Sequence, residues 1–261
     1  MYRINSAKLN LIYQLVKRDI QQRFKNSMLG IAWAFIVPLA MLSIYTFVFR
    51  GVLNARWPGA DTDADFALNV FCGLIVFNMF SEVVGRAPRI ISEQPNMVKK
   101  VVFPLEVLAW TSTLNALFYS VISMAVLLVG VIFVKGGVQL SMLSILFVFL
   151  AYIPILVGLS WFLSAVGVYI PDAQHIVGLI LTPMLFLSPV FYPASALPEK
   201  VQLIMSLNPL TTIIEASRCV LIKQEWPDWN ELLIYFVVSV SLFGLGYLFF
   251  KKTKSGFADV L

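Results

Sequence analysis

The sequence predicts an all-α integral membrane protein. It should have six transmembrane helices, an N-terminal amphipathic interfacial helix and short re-entrant helices on the outer side. Three observations carry this prediction. The 261 residues are 59% hydrophobic and 13% charged, with a mean hydropathy of +0.85, whereas a soluble domain carries roughly 25% charge. Residues 31–49, 107–134, 136–171 and 232–250 contain no charged side chain, and about 18 such residues suffice to cross a bilayer. The third observation is the placement of Lys and Arg. With both termini inside, the inner segments hold six in residues 1–30, four in 86–104 and three after residue 250, against six in the outer segments. That bias obeys the positive-inside rule, and an odd number of spans would put Lys251, Lys252 and Lys254 on the wrong side.

Residues 1–30 form the first unit. Their apolar run starts only at Ile31 and is followed by no small-residue cleavage site, so a secretory signal is not expected. Leu9, Ile12, Val16, Ile20, Phe24 and Met28 recur at three- and four-residue spacing, with Lys17, Arg18, Gln21, Gln22 and Lys25 around them. This pattern suits a helix lying on the inner membrane surface, although an ordinary basic flank that sets topology fits equally well. Residues 31–261 form a single transmembrane domain with spans near 31–49, 66–85, 107–134, 141–168, 174–192 and 231–250. Pro183 and Pro189 interrupt the fifth span, which requires neighbours that satisfy the freed carbonyls. Residues 193–230, with Pro193, Pro198, Pro209 and Pro227, are too broken to span and too apolar for a solvated loop. Short helices dipping back into the outer leaflet meet both facts.

Most enzyme chemistry is excluded. No G-x-x-x-x-G-K-[ST] phosphate loop and no G-x-S-x-G elbow occurs, and His175 is the only histidine. A multi-histidine zinc site is therefore ruled out, and Cys72 and Cys219 stand too far apart in sequence to suggest a disulfide framework. His175 beside Asp172 reads as a plain interfacial turn. The long apolar runs carry no charge; Glu82, Glu106 and Arg50 sit at span ends, within snorkelling reach of the interface. A proton- or ion-coupled carrier is disfavoured on that ground, so energy must come from elsewhere or the solute must move downhill. Most of the 21 Phe, 9 Tyr and 6 Trp suit lipid-facing and belt positions. Trp33, Phe35, Tyr45, Phe77 and Phe80 are candidates to line a conduit, where flat aromatic faces let sugar rings slide.

The segment from Glu93 to Glu106 is the most informative. It is basic, bracketed by Pro95 and Pro104, and wedged between two apolar runs, which reads as a docking surface rather than a reactive site. Four stretches together resemble the permease subunit of type-two ABC exporters, in the polysaccharide-export branch that handles O-antigen. They are Lys17-Arg18-Asp19-Ile20 with Arg23 to Trp33 and Pro38-Leu39; Asn96 to Pro104; Leu187-Ser188-Pro189-Val190-Phe191-Tyr192-Pro193 with Leu197-Pro198; and Leu207-Asn208-Pro209-Leu210 with Arg218. Their order and spacing cover nearly the whole chain.

The resemblance implies a bacterial inner-membrane protein, multi-pass, with both termini cytoplasmic. It implies that the chain is no enzyme: ATP and Mg belong to a partner ATPase, and this chain holds no cofactor or metal. A coupling helix near 93–104 would dock on that ATPase through Glu93, Pro95, Asn96, Lys99, Lys100, Phe103 and Pro104. Lys17, Arg18, Asp19, Arg23 and Lys25 would border the entrance for a lipid-linked polysaccharide. Pro189, Phe191 and Tyr192 would gate the periplasmic mouth. The implied partners are a second copy of the chain, two ATP-binding cassette subunits, the glycan and membrane lipids, with no nucleic acid. Two departures from the family pattern stand out: Pro171 precedes Asp172 where an arginine is common, and Ala109 replaces a frequent proline. The alternatives are an exporter of capsular polysaccharide or teichoic acid, a drug or lipid exporter of the same superfamily, and, more remotely, a self-contained membrane enzyme or flippase for lipid-linked sugars.

Overall fold

The computed structural model describes residues 6–25, 27–52, 57, 62–99 and 103–261. Among these the chain is helical with no strand, as an unshielded backbone in hydrocarbon demands. The α-helices run α1 Ser6–Phe24, α2 Trp33–Thr46, α3 Asp63–Arg86, α4 Pro95–Lys99, α5 Val107–Lys135 and α6 Ile145–Tyr169. They continue as α7 Ala173–Leu187, α8 Glu199–Ser206, α9 Pro209–Leu221, α10 Trp229–Thr253 and α11 Phe257–Val260. Four helical stretches are long and apolar enough to cross a membrane: Asp63–Arg89, Val107–Lys135, Leu140–Tyr169 and Trp229–Val260. Two shorter apolar helices, Gly30–Thr46 and Ala173–Leu187, accompany them. The molecule is an all-α membrane protein.

Helix ends follow local chemistry. Thr62 and Asp228 accept hydrogen bonds from the first free amides of α3 and α10. Gly136 closes α5 at φ 77°, a left-handed conformation that suits glycine. The fifth apolar helix ends at Leu187, short of the limit near 192 that hydropathy suggests, because its last hydrogen-bonded turn stops before the Ser188-Pro189 break.

One end of the bundle gathers the start of α1 and the chain that follows α10. Lys8 and Lys254 meet Glu106 there, and the Tyr169 hydroxyl donates to the Thr253 carbonyl at 2.8 Å. The opposite end gathers Asp65 with Lys135, and Ser141 with the carbonyl of Gln224. These are called the inner and outer ends below. α3 threads the centre, with Val70, Val76 and Val83 wholly buried.

α6 and α10 pack most intimately, and glycine permits it. A Cβ on Gly158 would sit 2.7 Å from the Leu242 carbonyl oxygen, and one on Gly246 would run into the Gly158 backbone. Close backbone approach through small residues is how membrane helices gain contact without a hydrophobic driving force. Beside Pro154, the Ile155 amide donates to Ser239 Oγ across this interface at 2.9 Å.

α1 differs from its sequence pattern. Ile12 and Leu15 form its buried face, while Leu9 is 54% exposed and Met28 fully so. The helix lies against the start of α5, and only the side holding Ile12 and Leu15 reaches that core. The side chain of Phe24 lies outside the described residues.

Substituting Gly158 by Val should lower the midpoint of thermal unfolding in detergent by overpacking, at a cost of roughly 1–3 kcal/mol. The same change at Gly178, whose Cβ would meet nothing within 4 Å, should do far less. Equal midpoints for the two variants, read by tryptophan fluorescence, would contradict the α6–α10 packing.

Candidate functional site

At the inner end α4 is short and two-sided. Met97 and Val98 pack on the core beside Ile90, Ile91 and Leu105, while Glu93, Pro95 and Asn96 are exposed. Arg89 stands 3.9 Å from Glu93 one turn earlier. Phe103 packs on the same core and Pro104 is half-buried, so the strand of chain leaving α4 is pinned before α5 begins. Lys100 and the side chain of Lys99, both expected on this surface, lie outside the described residues. The result is a small polar face on an apolar base.

Glu106 organises the surroundings. Its carboxylate accepts from Lys8 at 2.9 Å and Lys254 at 3.0 Å, while its carbonyl accepts from the Trp161 indole at 3.0 Å. One residue thus joins α1, α5, α6 and the segment after α10. Burial pushes the carboxyl upward, but the hydrogen bonds from Lys8 and then the backbone and Lys254 outweigh it, so Glu106 titrates below the usual carboxylate range.

A second polar layer ties α1 to α3 and α5. Asp19 lies 3.2 Å from Arg18 and 3.6 Å from Arg86, and Asn115 donates to it at 3.3 Å. Arg23 donates to Glu82 at 2.6 Å, and its guanidinium lies 4.2 Å over the Tyr119 ring. Burial alone would lower the Arg23 pKa; pairing with Glu82 reverses this and raises it. Lys17 and Lys25 are exposed.

Arg23, Glu82 and Tyr119 also line a cavity of about 440 Å³ bounded by α1, α2, α3, α5 and α7. Trp33 and Tyr45 supply aromatic faces to it, and Asn78, Ser120 and Ser123 supply polar ones. Such a mixed wall suits a ligand with both ring faces and hydroxyl groups. Phe35 is exposed but not on this wall. Phe77 and Phe80, read from the sequence as conduit candidates, are buried at 5% exposure each, inside the core of α3. They lie on the faces of α3 that meet its packing neighbours, and a single helix sequence does not disclose which face that is.

Toward the outer end, Phe191 is buried between Tyr45 and Phe186, at centroid separations of 5.3 and 5.6 Å. The Tyr192 hydroxyl donates to the Phe186 carbonyl at 2.5 Å, and Pro189 is buried. Behind this cluster lies the buried guanidinium of Arg218, which sequence reasoning placed only as a motif member on the outer side. It donates to the carbonyls of Asn69 at 3.1 Å and Val190 at 2.7 Å, and to Glu215 at 3.1 Å, with Trp57 stacked 4.4 Å away. Asp172 and His175 are joined by a main-chain bond, His175 amide to Asp172 carbonyl, while the imidazole contacts Gln174.

These features define a polytopic membrane protein with an exposed helix at one end, an aromatic and polar cavity within, and a buried anchor at the other end. Residues 10–222 match the ABC-2 type transporter family, and the chain belongs to that family of transport permeases. It is 29% identical over 253 residues to the O-antigen export system permease protein RfbA of Myxococcus xanthus, covering 95% of this chain and 94% of that one. It is 24% identical over 262 residues to the protein of the same name from Klebsiella pneumoniae, covering 97% and 95%. It is 25% identical over 207 residues to the polysialic acid transport protein KpsM of Escherichia coli, covering 78% of each chain.

Glu106→Gln should destabilise the fold by roughly 1.5–3 kcal/mol, the range for hydrogen bonds to a charged group. Because the folded pKa is depressed, the carboxylate's contribution is complete at neutral pH, above the unfolded value of roughly 4.3. It fades as pH falls through the lower folded value. As pH is lowered from about 5 to about 3, thermal midpoints should therefore fall further for the parent than for Glu106→Gln. Parallel curves would refute the clamp.

Proposed function

We propose that this chain is the transmembrane subunit of an ATP-driven exporter that moves a lipid-linked polysaccharide, O-antigen in the first instance, across the bacterial inner membrane. The observation that carries this reading is near full-length similarity to permeases named for O-antigen export, on a fold whose inner end offers an exposed helical face. ATP and Mg belong to a separate ATP-binding cassette subunit. Two permeases and two such subunits make the complex, and the glycan threads between the permeases.

In this reading α2, α3, α5, α6, α7 and α10 are the six crossings, the inner end is cytoplasmic, and both termini lie there. α8 and α9 are re-entrant helices of the outer mouth. α4 is the coupling helix: Glu93, Pro95 and Asn96 face the ATPase while Met97 and Val98 hold the helix to the permease. Closure of the ATPases moves α4, and that motion spreads α2, α3 and α7. The basic residues of α1 border the substrate entrance, and Trp33 and Tyr45 offer ring faces along the path.

Co-reconstituted with its cognate ATPase in proteoliposomes, the chain should translocate lipid-linked glycan on ATP addition; alone it should translocate none. Robust transport by the solitary chain would defeat the proposal. Likeness to the polysialic acid transporter favours a second reading, capsular polysaccharide export. Complementation of O-antigen-deficient and capsule-deficient strains distinguishes the two.

Asn96→Trp should reduce co-purification of the ATPase by about tenfold or more, since a bulky ring on a small docking face disrupts its complementarity. Thermal stability of the permease should hardly change, because Asn96 is exposed. Unchanged association would remove α4 from the interface.

A further inference from the structure

Arg218 is 2% exposed, and its hydrogen bonds reach three separate places. Nε donates to the Asn69 carbonyl on α3, Nη2 to the Val190 carbonyl in the turn after α7, and Nη1 to Glu215 on its own helix α9. The surroundings are shaped to admit it. A Cβ on Gly73 would fall 2.8 Å from Nη2 and 3.1 Å from Val190 Cα, so the helix, the turn and the guanidinium meet only because position 73 is bare. Asn208, at the start of α9, reinforces the same turn by donating to Ser188 Oγ at 2.9 Å and the Leu187 carbonyl at 3.3 Å.

We propose that Arg218 is a positioning residue for transport: it locks the 188–190 turn and α9 to α3, so that the outer mouth moves with α3 as one body. The proposal rests on the export reading above and adds a route for the force. A planar fork holding two main-chain carbonyls fixes orientation as well as distance, which a lysine in its place does not. Pulling the turn away from α3 takes main-chain acceptors from a buried guanidinium and leaves Glu215 of its own helix as the remaining acceptor, so this joint stays closed through the cycle. α3 is continuous from Asp63 to Arg86 and leads directly through residues 87–94 to α4. A displacement of α4 therefore reaches the outer mouth along one rigid helix. The compliance falls to α7, where Pro183 interrupts the hydrogen-bond ladder and Gly178 has open space around it.

The test removes the guanidinium or crowds its seat. Arg218→Ala and Arg218→Lys should each cut ATP-driven export by at least about tenfold while the chain still binds its ATPase. Gly73→Ala keeps Arg218 but puts a Cβ 3.1 Å from Val190 Cα, and should lower export in the same way. Amide exchange of residues 188–192 should be slow in the parent and fast in all three variants. Full export by Arg218→Ala, or exchange at 188–192 as slow in the variants as in the parent, would overturn the proposal. Absence of export by the parent with its ATPase, with exchange still set by position 218, would instead overturn the export reading and leave the lock standing.

Discussion

Hydrocarbon offers no hydrogen bonds, and from that constraint the arrangement of this bundle follows. Lipid tails are as apolar as leucine, so burying another leucine between helices gains little over leaving it in lipid. What chooses one helix register over another is therefore the small set of polar groups that must be satisfied inside, together with the places where backbones can touch. Arg218, Ser239 and the Tyr152 hydroxyl each find their partner on a different element from their own. Each bond fixes a relative height and rotation that apolar packing leaves free. Gly158, Gly246 and Gly73 do the complementary work by removing the side chain where two backbones, or a backbone and a guanidinium, must approach.

The same constraint explains why α3 sits at the centre. It is the least apolar of the four long helices and the most buried. Asp65 and Asn69 at its outer end are shielded, the first by Lys135 and Thr62 and the second by its own helix. Glu82 and Arg86 at its inner end meet Arg23 and Asp19 of α1. α1, α5 and α9 supply the partners for these polar ends: Arg23 and Asp19, Lys135, and Arg218 on the Asn69 carbonyl.

Much of this was legible in the sequence because composition and spacing report directly on hydrocarbon. The uncharged runs at 107–134 and 232–250 appear as α5 and α10, extended by a few capped residues. The exposure of Glu93, Pro95 and Asn96 was legible for a similar reason: a charge and a proline between two apolar runs are poorly suited to the core. Rotation about each helix axis was not legible, since a span can be apolar all round and then carries no facial signal. That is why Phe77 and Phe80 were grouped with Trp33 and Tyr45, and why Leu9 was grouped with Ile12. The partner of Arg218 was hidden for another reason. Two of its acceptors are main-chain carbonyls, which carry no residue identity, and the one clue at sequence level was a glycine at position 73.

The two ends of the molecule are held by unlike forces. At the inner end α1 is tied beyond its apolar anchor by Arg23–Glu82 and Arg86–Asp19, whose guanidinium sides are 55% and 38% exposed. Ion pairs so open to water contribute only about 0.2–1 kcal/mol each, weaken with salt and exchange partners readily. At the outer end Arg218 is enclosed, and losing its main-chain acceptors leaves a buried guanidinium with unmet donors beside Glu215. Any rearrangement of the bundle therefore begins where the bonds are replaceable, at α1 and the cavity wall it closes, and leaves the outer anchor intact. A protein that must admit something at one end while keeping a wall rigid at the other is served by that asymmetry.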